Sequence, residues 1–197
     1  VCNPTQGIIR VAPDGRHEVF ATHAGDHKLA CANFGLFDAA GNFFVTDSGQ
    51  WMKRNGRLYR FTPDGCGTSL AAPFGYANGL ALSGDEKTLY VVESDGERIF
   101  RFDLATGRHE VFAESVGRMP DGLALDSAGN LYVACYASDD IQLITPAGEQ
   151  QLFAHDRWAI KLSRPTNLTF RDGWLYVTNL GRQTIVRAKM EPLASRK

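Results

Sequence analysis

Along the chain, short runs of alternating apolar and polar residues are separated by turn formers, and no segment shows the 3.6-residue apolar period of an amphipathic helix. The pattern predicts strands throughout, and it repeats. NFGLFDAAGNFFVTDSG from Asn33, NGLALSGDEKTLYVVES from Asn78, DGLALDSAGNLYVACY from Asp121 and NLTFRDGWLYVTN from Asn167 each open with an amide or a carboxylate, at intervals of 45, 43 and 46 residues. Behind these units lie alternating segments from Gly7, Gly56, Glu97, Asp140 and Gln183, most of them ending in a turn. Pro-Asp-Gly at Pro13–Gly15 and Pro63–Gly65 presets φ at the first turn position and supplies a positive φ later, which is hairpin chemistry. A third piece, HEVFA, is identical at His17–Ala21 and His109–Ala113, with QQLFA at Gln150–Ala154.

Each unit thus holds four short strands; in one unit they are Gly79–Ser83, Thr88–Glu93, Arg98–Asp103 and His109–Ala113. Four strands per repeat of about 40 to 45 residues predict an all-β fold, a β-propeller of four-stranded blades, with a stacked solenoid as the alternative. Four opening strands against five of the third type place the chain's start inside a blade near Gly7 and its end inside another near Met190. About four and a half blades are expected, as one apparently incomplete domain over residues 1–197, with open blade edges that favour self-association. Phe43, Phe44, Leu89, Tyr90, Leu131, Tyr132, Leu175 and Tyr176 recur in the second strands and read as inter-blade core. The polar tail Glu191–Lys197 is expected at the surface.

Composition narrows the function. The chain is 44% hydrophobic and 11% aromatic, enough to fill a core and to exclude wholesale disorder. Its 21 Lys and Arg against 22 Asp and Glu leave no basic field for a phosphate backbone or an anionic bilayer, so neither nucleic acid nor membrane is an expected partner. Apolar stretches such as Leu89–Val92 and Gly122–Leu125 fall far short of the roughly 20 residues of a membrane span. No signal-like segment opens the sequence, and Cys2, Cys31, Cys66 and Cys135 are scattered without a C-x-x-C pair. They are expected as free, mostly buried thiols, which favours a cytoplasmic location.

The candidate chemistry lies at the start of the opening strands. In a propeller the innermost strand of each blade lines the axis, so Asn33, Asn78, Asp121 and Asn167 would converge as a ring of hard oxygen donors suited to Ca²⁺, Mg²⁺ or Mn²⁺. The plainer reading is that Asn and Asp before Gly, as in Asn78-Gly79 and Asp121-Gly122, cap turns. No G-x-S-x-G elbow supports a serine hydrolase. His23 and His27 lie in a polar loop and read as solvated, and the Asn167-Leu168-Thr169 sequon falls within a strand. Trp51 and Trp158 lie in the longest between-strand segments, where they either lid a channel mouth or pack locally.

The units YANGLALSGDEKTLYVVES, MPDGLALDSAGNLYVACY and RPTNLTF, with ANFGLFDAAGNFFVTDSG upstream, are similar to the senescence-marker-protein/gluconolactonase/luciferin-regenerating-enzyme family over nearly the whole chain. The resemblance implies a six-bladed ring and a metal-dependent hydrolase of a small cyclic ester of the sugar-lactone type. It implies an axial divalent metal ion, Ca²⁺ first, with Mn²⁺, Mg²⁺ or Zn²⁺ as alternatives. By it, Asn78 and Asp121 are metal ligands, Asp121 is also the catalytic base or a ligand alone, and Asn33 and Asn167 face substrate, although Phe34 stands where an aspartate often follows. The family's first metal ligand, a glutamate opening an inner strand, has no counterpart, since Glu93 and Glu97 fall at a second strand's end and a third strand's beginning. The resemblance therefore implies an incomplete metal site, and a non-catalytic binding scaffold stands as the alternative. A strictosidine-synthase-like propeller, using a channel acid without metal, rests on fold analogy alone.

Overall fold

Three-residue hairpin turns set the register of the sheets. At Ala12–Arg16 and Thr62–Cys66 the first residue's N–H donates to the fifth residue's carbonyl, and the glycine between them, Gly15 at φ 84° or Gly65 at φ 92°, donates back to the first carbonyl. Thr145–Glu149 repeats the arrangement around Gly148 at φ 86°. A type I turn closed by a left-handed glycine matches the right-handed twist of the strands it joins.

The computed structural model describes residues 1–190, all of it strand and turn. The polar tail Glu191–Lys197 lies outside the described residues. The chain divides into two compact units, Val1–Glu114 and Ser115–Lys197. In the first unit, a three-stranded blade of β1 (Cys2–Asn3), β2 (Gly7–Val11) and β3 (His17–Ala21) precedes a small hairpin of β4 (His23–Ala24) and β5 (His27–Lys28). A second blade follows with β6 (Ala32–Phe37), β7 (Phe43–Asp47), β8 (Gly56–Phe61) and β9 (Gly67–Phe74), and a third with β10 (Ala77–Leu82), β11 (Thr88–Glu93), β12 (Arg98–Asp103) and β13 (His109–Ala113). The second unit holds a fourth blade, β14 (Pro120–Leu125), β15 (Leu131–Cys135), β16 (Asp140–Ile144) and β17 (Gln150–His155). Its fifth blade is β18 (Pro165–Arg171), β19 (Trp174–Asn179) and β20 (Thr184–Lys189). In every blade the strands pair antiparallel in chain order, the meander of a propeller blade.

The second strands are the most buried because both sheet faces are covered; β7 and β15 are buried at every position. Between the second and third blades Phe44, Leu58, Phe74, Leu80, Leu89 and Phe102 pack into one cluster, and between the fourth and fifth Tyr132, Leu143, Leu168, Leu175 and Val177 form another. The outermost strands carry HEVFA and QQLFA mostly exposed.

Several sequence expectations change. A short strand, β1 at Cys2–Asn3, precedes the Gly7 segment in the partial first blade, because two residues suffice to pair with β2. Strand β9 is not legible from alternation, since GTSLAAPF mixes small residues with a proline. His23 and His27 belong to a hairpin, both exposed, and Thr22 Oγ1 lies 2.8 Å from His23 Nδ1. Of the four free cysteines only Cys135 is buried.

One position recurs as a clamp. The last residue of each complete second strand turns back to the loop that enters its own blade. Asp47 accepts from Ala30 N (2.6 Å) and Cys31 N (2.7 Å), Glu93 from Gly75 N (2.7 Å), and Asn179 from Ser163 N (3.1 Å). In the fourth blade Cys135 Sγ donates weakly to Val116 O at 3.6 Å. Glu93 is fully buried, and Arg98 donates to its Oε2 through both Nε (2.7 Å) and a terminal nitrogen. Glu93→Ala leaves Arg98 and Gly75 N without their acceptor, a loss expected to cost about 3–5 kcal/mol. Urea unfolding, followed by tryptophan fluorescence, measures it.

In the loop entering the fifth blade one carboxylate gathers four backbone N–H groups. Asp156 accepts from the backbone N–H of Trp158, Ile160, Lys161 and Leu162, at 2.6 to 3.2 Å. These bonds, that from Lys161 foremost, hold its carboxyl below the usual range. A carboxyl depressed by folding stabilises the fold above its unfolded pKa of about 3.9 and loses that contribution as pH falls through the lower folded value. The thermal midpoint should therefore fall on acidification below about pH 4, and Asp156→Ala should flatten that dependence.

Candidate functional site

A regular strand sends alternate side chains to opposite faces, so a residue can be re-aimed only where the ladder is broken. All four opening strands of the second to fifth blades break in the same place. Between the Ala77–Glu93 and Leu80–Val91 pairs, Asn78 and Gly79 stand opposite Val92 alone, a β-bulge. Asn33-Phe34 opposite Thr46, Asp121-Gly122 opposite Ala134 and Thr166-Asn167 opposite Thr178 are its counterparts. The residue equivalent to Asn33, Asn78 and Asp121 is thus Thr166, and Asn167 takes the second bulge position.

In the first unit, Asn78 is 7% exposed and its Nδ2 donates to Ser94 Oγ at 3.1 Å, which leaves Oδ1 as the donor oxygen for a ligand. The half-buried Asn33 makes the same contact one blade earlier, Nδ2 to Ser48 Oγ at 2.8 Å, and Ser48 donates to Ala77 O at 2.7 Å. The two bulges are therefore joined through a hydroxyl. Ser48 and Ser94 each follow the clamp residue of a second strand. Thr46 holds the second bulge from across the ladder, accepting from Phe34 N at 3.2 Å and donating to Phe34 O at 3.3 Å.

Tyr76, at φ 65°, directly precedes β10, and its carbonyl accepts from Ser94 N at 3.1 Å. Met119 and Arg164 repeat the positive φ and the hydrogen bond before the opening strands of the second unit. Burial, then the Asp47 carboxylate, pushes Cys31 up, and burial pushes Cys2 up to about 11 against the lowering effect of the N-terminal ammonium.

In the second unit Asp121 is half-buried, and the Gly122 backbone abuts the next bulge. Thr178 accepts from Asn167 N at 2.9 Å, and its Oγ1 lies 2.8 Å from Thr166 Oγ1. Tyr136 occupies the place of Ser48 and Ser94 and receives the Arg164 guanidinium, 5.6 Å over its ring and 3.4 Å from its hydroxyl. Ser48, Ser94, Thr166 and Thr178 were not singled out from sequence; the shared Asp-Ser and Glu-Ser endings of β7 and β11 are the signal that points to the two serines.

Asn78 Oδ1 and the Asp121 carboxylate are hard oxygens of the kind a divalent cation takes, so each fits the ligand role. Among the described residues no three His, Cys, Asp or Glu side chains gather into a metal cluster, and no helix is long and apolar enough to cross a membrane.

Four-stranded meander blades, with bulged opening strands that carry amide and carboxylate side chains, define a partial β-propeller. The family described as SMP-30/Gluconolactonase/LRE-like region matches residues 1–181, and the chain belongs to it. Lactonase drp35 of Staphylococcus saprophyticus is 32% identical over 155 residues, 73% of this chain and 47% of the relative. Human regucalcin is 31% identical over 147 residues, 68% of this chain and 49% of the relative. The chain thus spans about half the length of the curated relatives it matches. Among solved structures, a luciferin-regenerating enzyme superposes with a TM-score of 0.70 at 26% identity, over 86% of this chain and 60% of that one. A gluconolactonase from Xanthomonas campestris gives 0.75 at 23% identity, over 88% and 62%, a likeness of fold.

The Gly122 contact is directly testable. A Cβ there would lie 2.4 Å from Thr166 O and 2.8 Å from Asn167 Cα, both backbone atoms that cannot step aside. Gly122→Ala is expected to destabilise the second unit by about 1–3 kcal/mol, while Gly84→Ala, where nothing lies within 4 Å, serves as the control in the same urea titration.

Proposed function

We propose that the chain carries the site of a lactone hydrolase, with Asp121 as catalytic base and metal ligand, Asn78 as a second metal ligand, and Asn33 and Asn167 as substrate contacts. The observation that carries this reading is the repeated bulge, which gives Asn78 and Asp121 the same place in their blades and frees Asn78 Oδ1 by committing its amide nitrogen to Ser94. The lactonase and gluconolactonase among the relatives support the reaction class. The name of regucalcin and the oxygen donors support Ca²⁺ first among divalent cations.

Asn78 Oδ1 and the Asp121 carboxylate are the oxygens that would hold a divalent cation, which when bound would supply electrophilic polarisation of the ester carbonyl. Asp121 takes a proton from the attacking water as the new C–O bond forms at the carbonyl carbon. When the ring C–O bond breaks, the same carboxyl returns the proton to the departing alkoxide, and the product is an open-chain hydroxy acid. Asn33 and Asn167 hold the ring through amide hydrogen bonds.

Calorimetric titration of Ca²⁺, Mn²⁺ and Zn²⁺ into chelator-stripped protein, with lactone turnover followed by acid release, tests the reading. Saturable one-to-one binding and turnover are expected, with both lost in Asp121→Ala. Asn78→Ala should weaken the cation by at least about tenfold. Unchanged affinity and turnover in both variants would overturn the assignment.

A further inference from the structure

The turn that leaves a second strand is four residues long in the third, fourth and fifth blades, at Ser94–Glu97, Tyr136–Asp139 and Leu180–Gln183, whereas in the second blade it runs from Ser48 to Asn55. This longer turn is an ordered structure. Asn55 Oδ1 accepts from Gln50 N at 2.8 Å, and Gln50 O accepts from Lys53 N at 3.1 Å. Gly49, at φ 66°, lies so close beneath Asn55 that a Cβ would come within 2.4 Å of its Oδ1. The turn also reaches the third blade twice. The Trp51 ring stands edge-on to Tyr76 at 5.1 Å, and an Arg54 guanidinium nitrogen is 3.6 Å from Glu93 Oε1.

These anchors present apolar side chains to solvent. Trp51 is 40% exposed and Met52 73% exposed, and Met52 and Arg54 hold φ at 58° and 47°, conformations that non-glycine residues keep only when their surroundings impose them. The turn starts at Ser48, the hydroxyl that receives Asn33, and its indole rests on Tyr76, two residues before Asn78. A rigid aromatic and a pliable thioether thus stand on a turn that begins at the partner of Asn33 and packs on the residue two before Asn78.

We propose that Trp51 is the specificity-determining residue of the site and, with Met52, receives an apolar substituent on the lactone, so that the substrate class is an alkyl- or aryl-substituted lactone rather than a polyhydroxylated sugar lactone. The inference rests on the hydrolase reading and narrows its substrate. An indole face adds van der Waals area to an alkyl chain and offers nothing comparable to a ring of hydroxyls.

Turnover of δ-valerolactone, δ-decalactone and D-glucono-δ-lactone tests it. The expected order of kcat/KM places δ-decalactone first, with up to about fourfold gained per methylene buried. Trp51→Ala should lower the δ-decalactone to glucono-δ-lactone ratio at least tenfold, and Trp51→Phe should restore most of it. Met52→Ser, which leaves the contacts of Trp51 and Arg54 in place, should lower the same ratio severalfold even if Trp51→Ala fails to fold. A ratio that none of these variants moves would overturn the proposal.

A second readout does not depend on hydrolysis. With Trp158 and Trp174 changed to Phe, Trp51 is the sole tryptophan of the three, and its fluorescence should respond saturably to the alkyl lactam analogue of δ-decalactone and not to δ-valerolactam. A flat response overturns the apolar subsite. A saturable response without turnover of any lactone leaves that subsite standing and removes the hydrolase reading.

Discussion

The broken register of the opening strands is the constraint on which the rest depends. A β-ladder fixes each side chain to one of two faces, and in a blade covered on both sides neither face is free for chemistry. Setting two residues opposite one, as at Asn78-Gly79 opposite Val92, releases the first of the pair from that alternation while the strand continues into the core as Leu80-Ala81-Leu82. The bulge leaves a backbone without regular partners, and the blades answer in two ways. Where the opposite residue is Thr46 or Thr178, its hydroxyl bonds the second bulge residue; where it is Val92 or Ala134, that residue is glycine. A threonine with any residue, or an aliphatic with glycine, solves the same local problem.

The bulge in turn needs a fixed approach, and the clamp at the end of each second strand provides it. Asp47, Glu93 and Asn179 differ in charge and length, yet each accepts from a backbone N–H of the loop entering its blade. Burying such groups is costly unless they are satisfied, so their recurrence reflects a backbone requirement of the blade. Cys135 takes this place in the fourth blade with a thiol, and Gly117 packs directly on it, with room for no side chain: a Cβ would sit 2.4 Å from the sulfur.

Most of the architecture was legible because it follows from short-range rules. Alternation located the strands of the third blade to within about two residues at each end, and Pro-Asp-Gly marked hairpins that form as expected. What escaped was whatever depends on partners distant in sequence. Strand β1 is two residues long and is defined only by β2, and β9 has no alternation to betray it. The register of the fifth blade escaped for a different reason. Matching amides by letter aligned Asn167 with Asn78, but position in the bulge aligns Thr166, and a one-residue slip exchanges the two roles. Ser48 and Ser94 were hidden because their amide partners lie 15 and 16 residues away.

The same comparison explains why the two units present different chemistry from one repeat. In the first unit both bulge amides donate to a serine, a short neutral group that fixes the amide's orientation and leaves its oxygen outward. In the second unit the serine's place is taken by Tyr136 and Leu180, and the first bulge positions are Asp121 and Thr166. Without a serine to orient it, an amide there would have no fixed donor face. A carboxylate presents two equivalent accepting oxygens, so Asp121 differs from the amides in having no donor end to set apart from an acceptor end. From Asn-Ser to Asp-Tyr the first bulge position thus passes from an amide held by a serine hydroxyl to a symmetric acceptor, while the fifth blade sets Thr166 and Leu180 in the same two places.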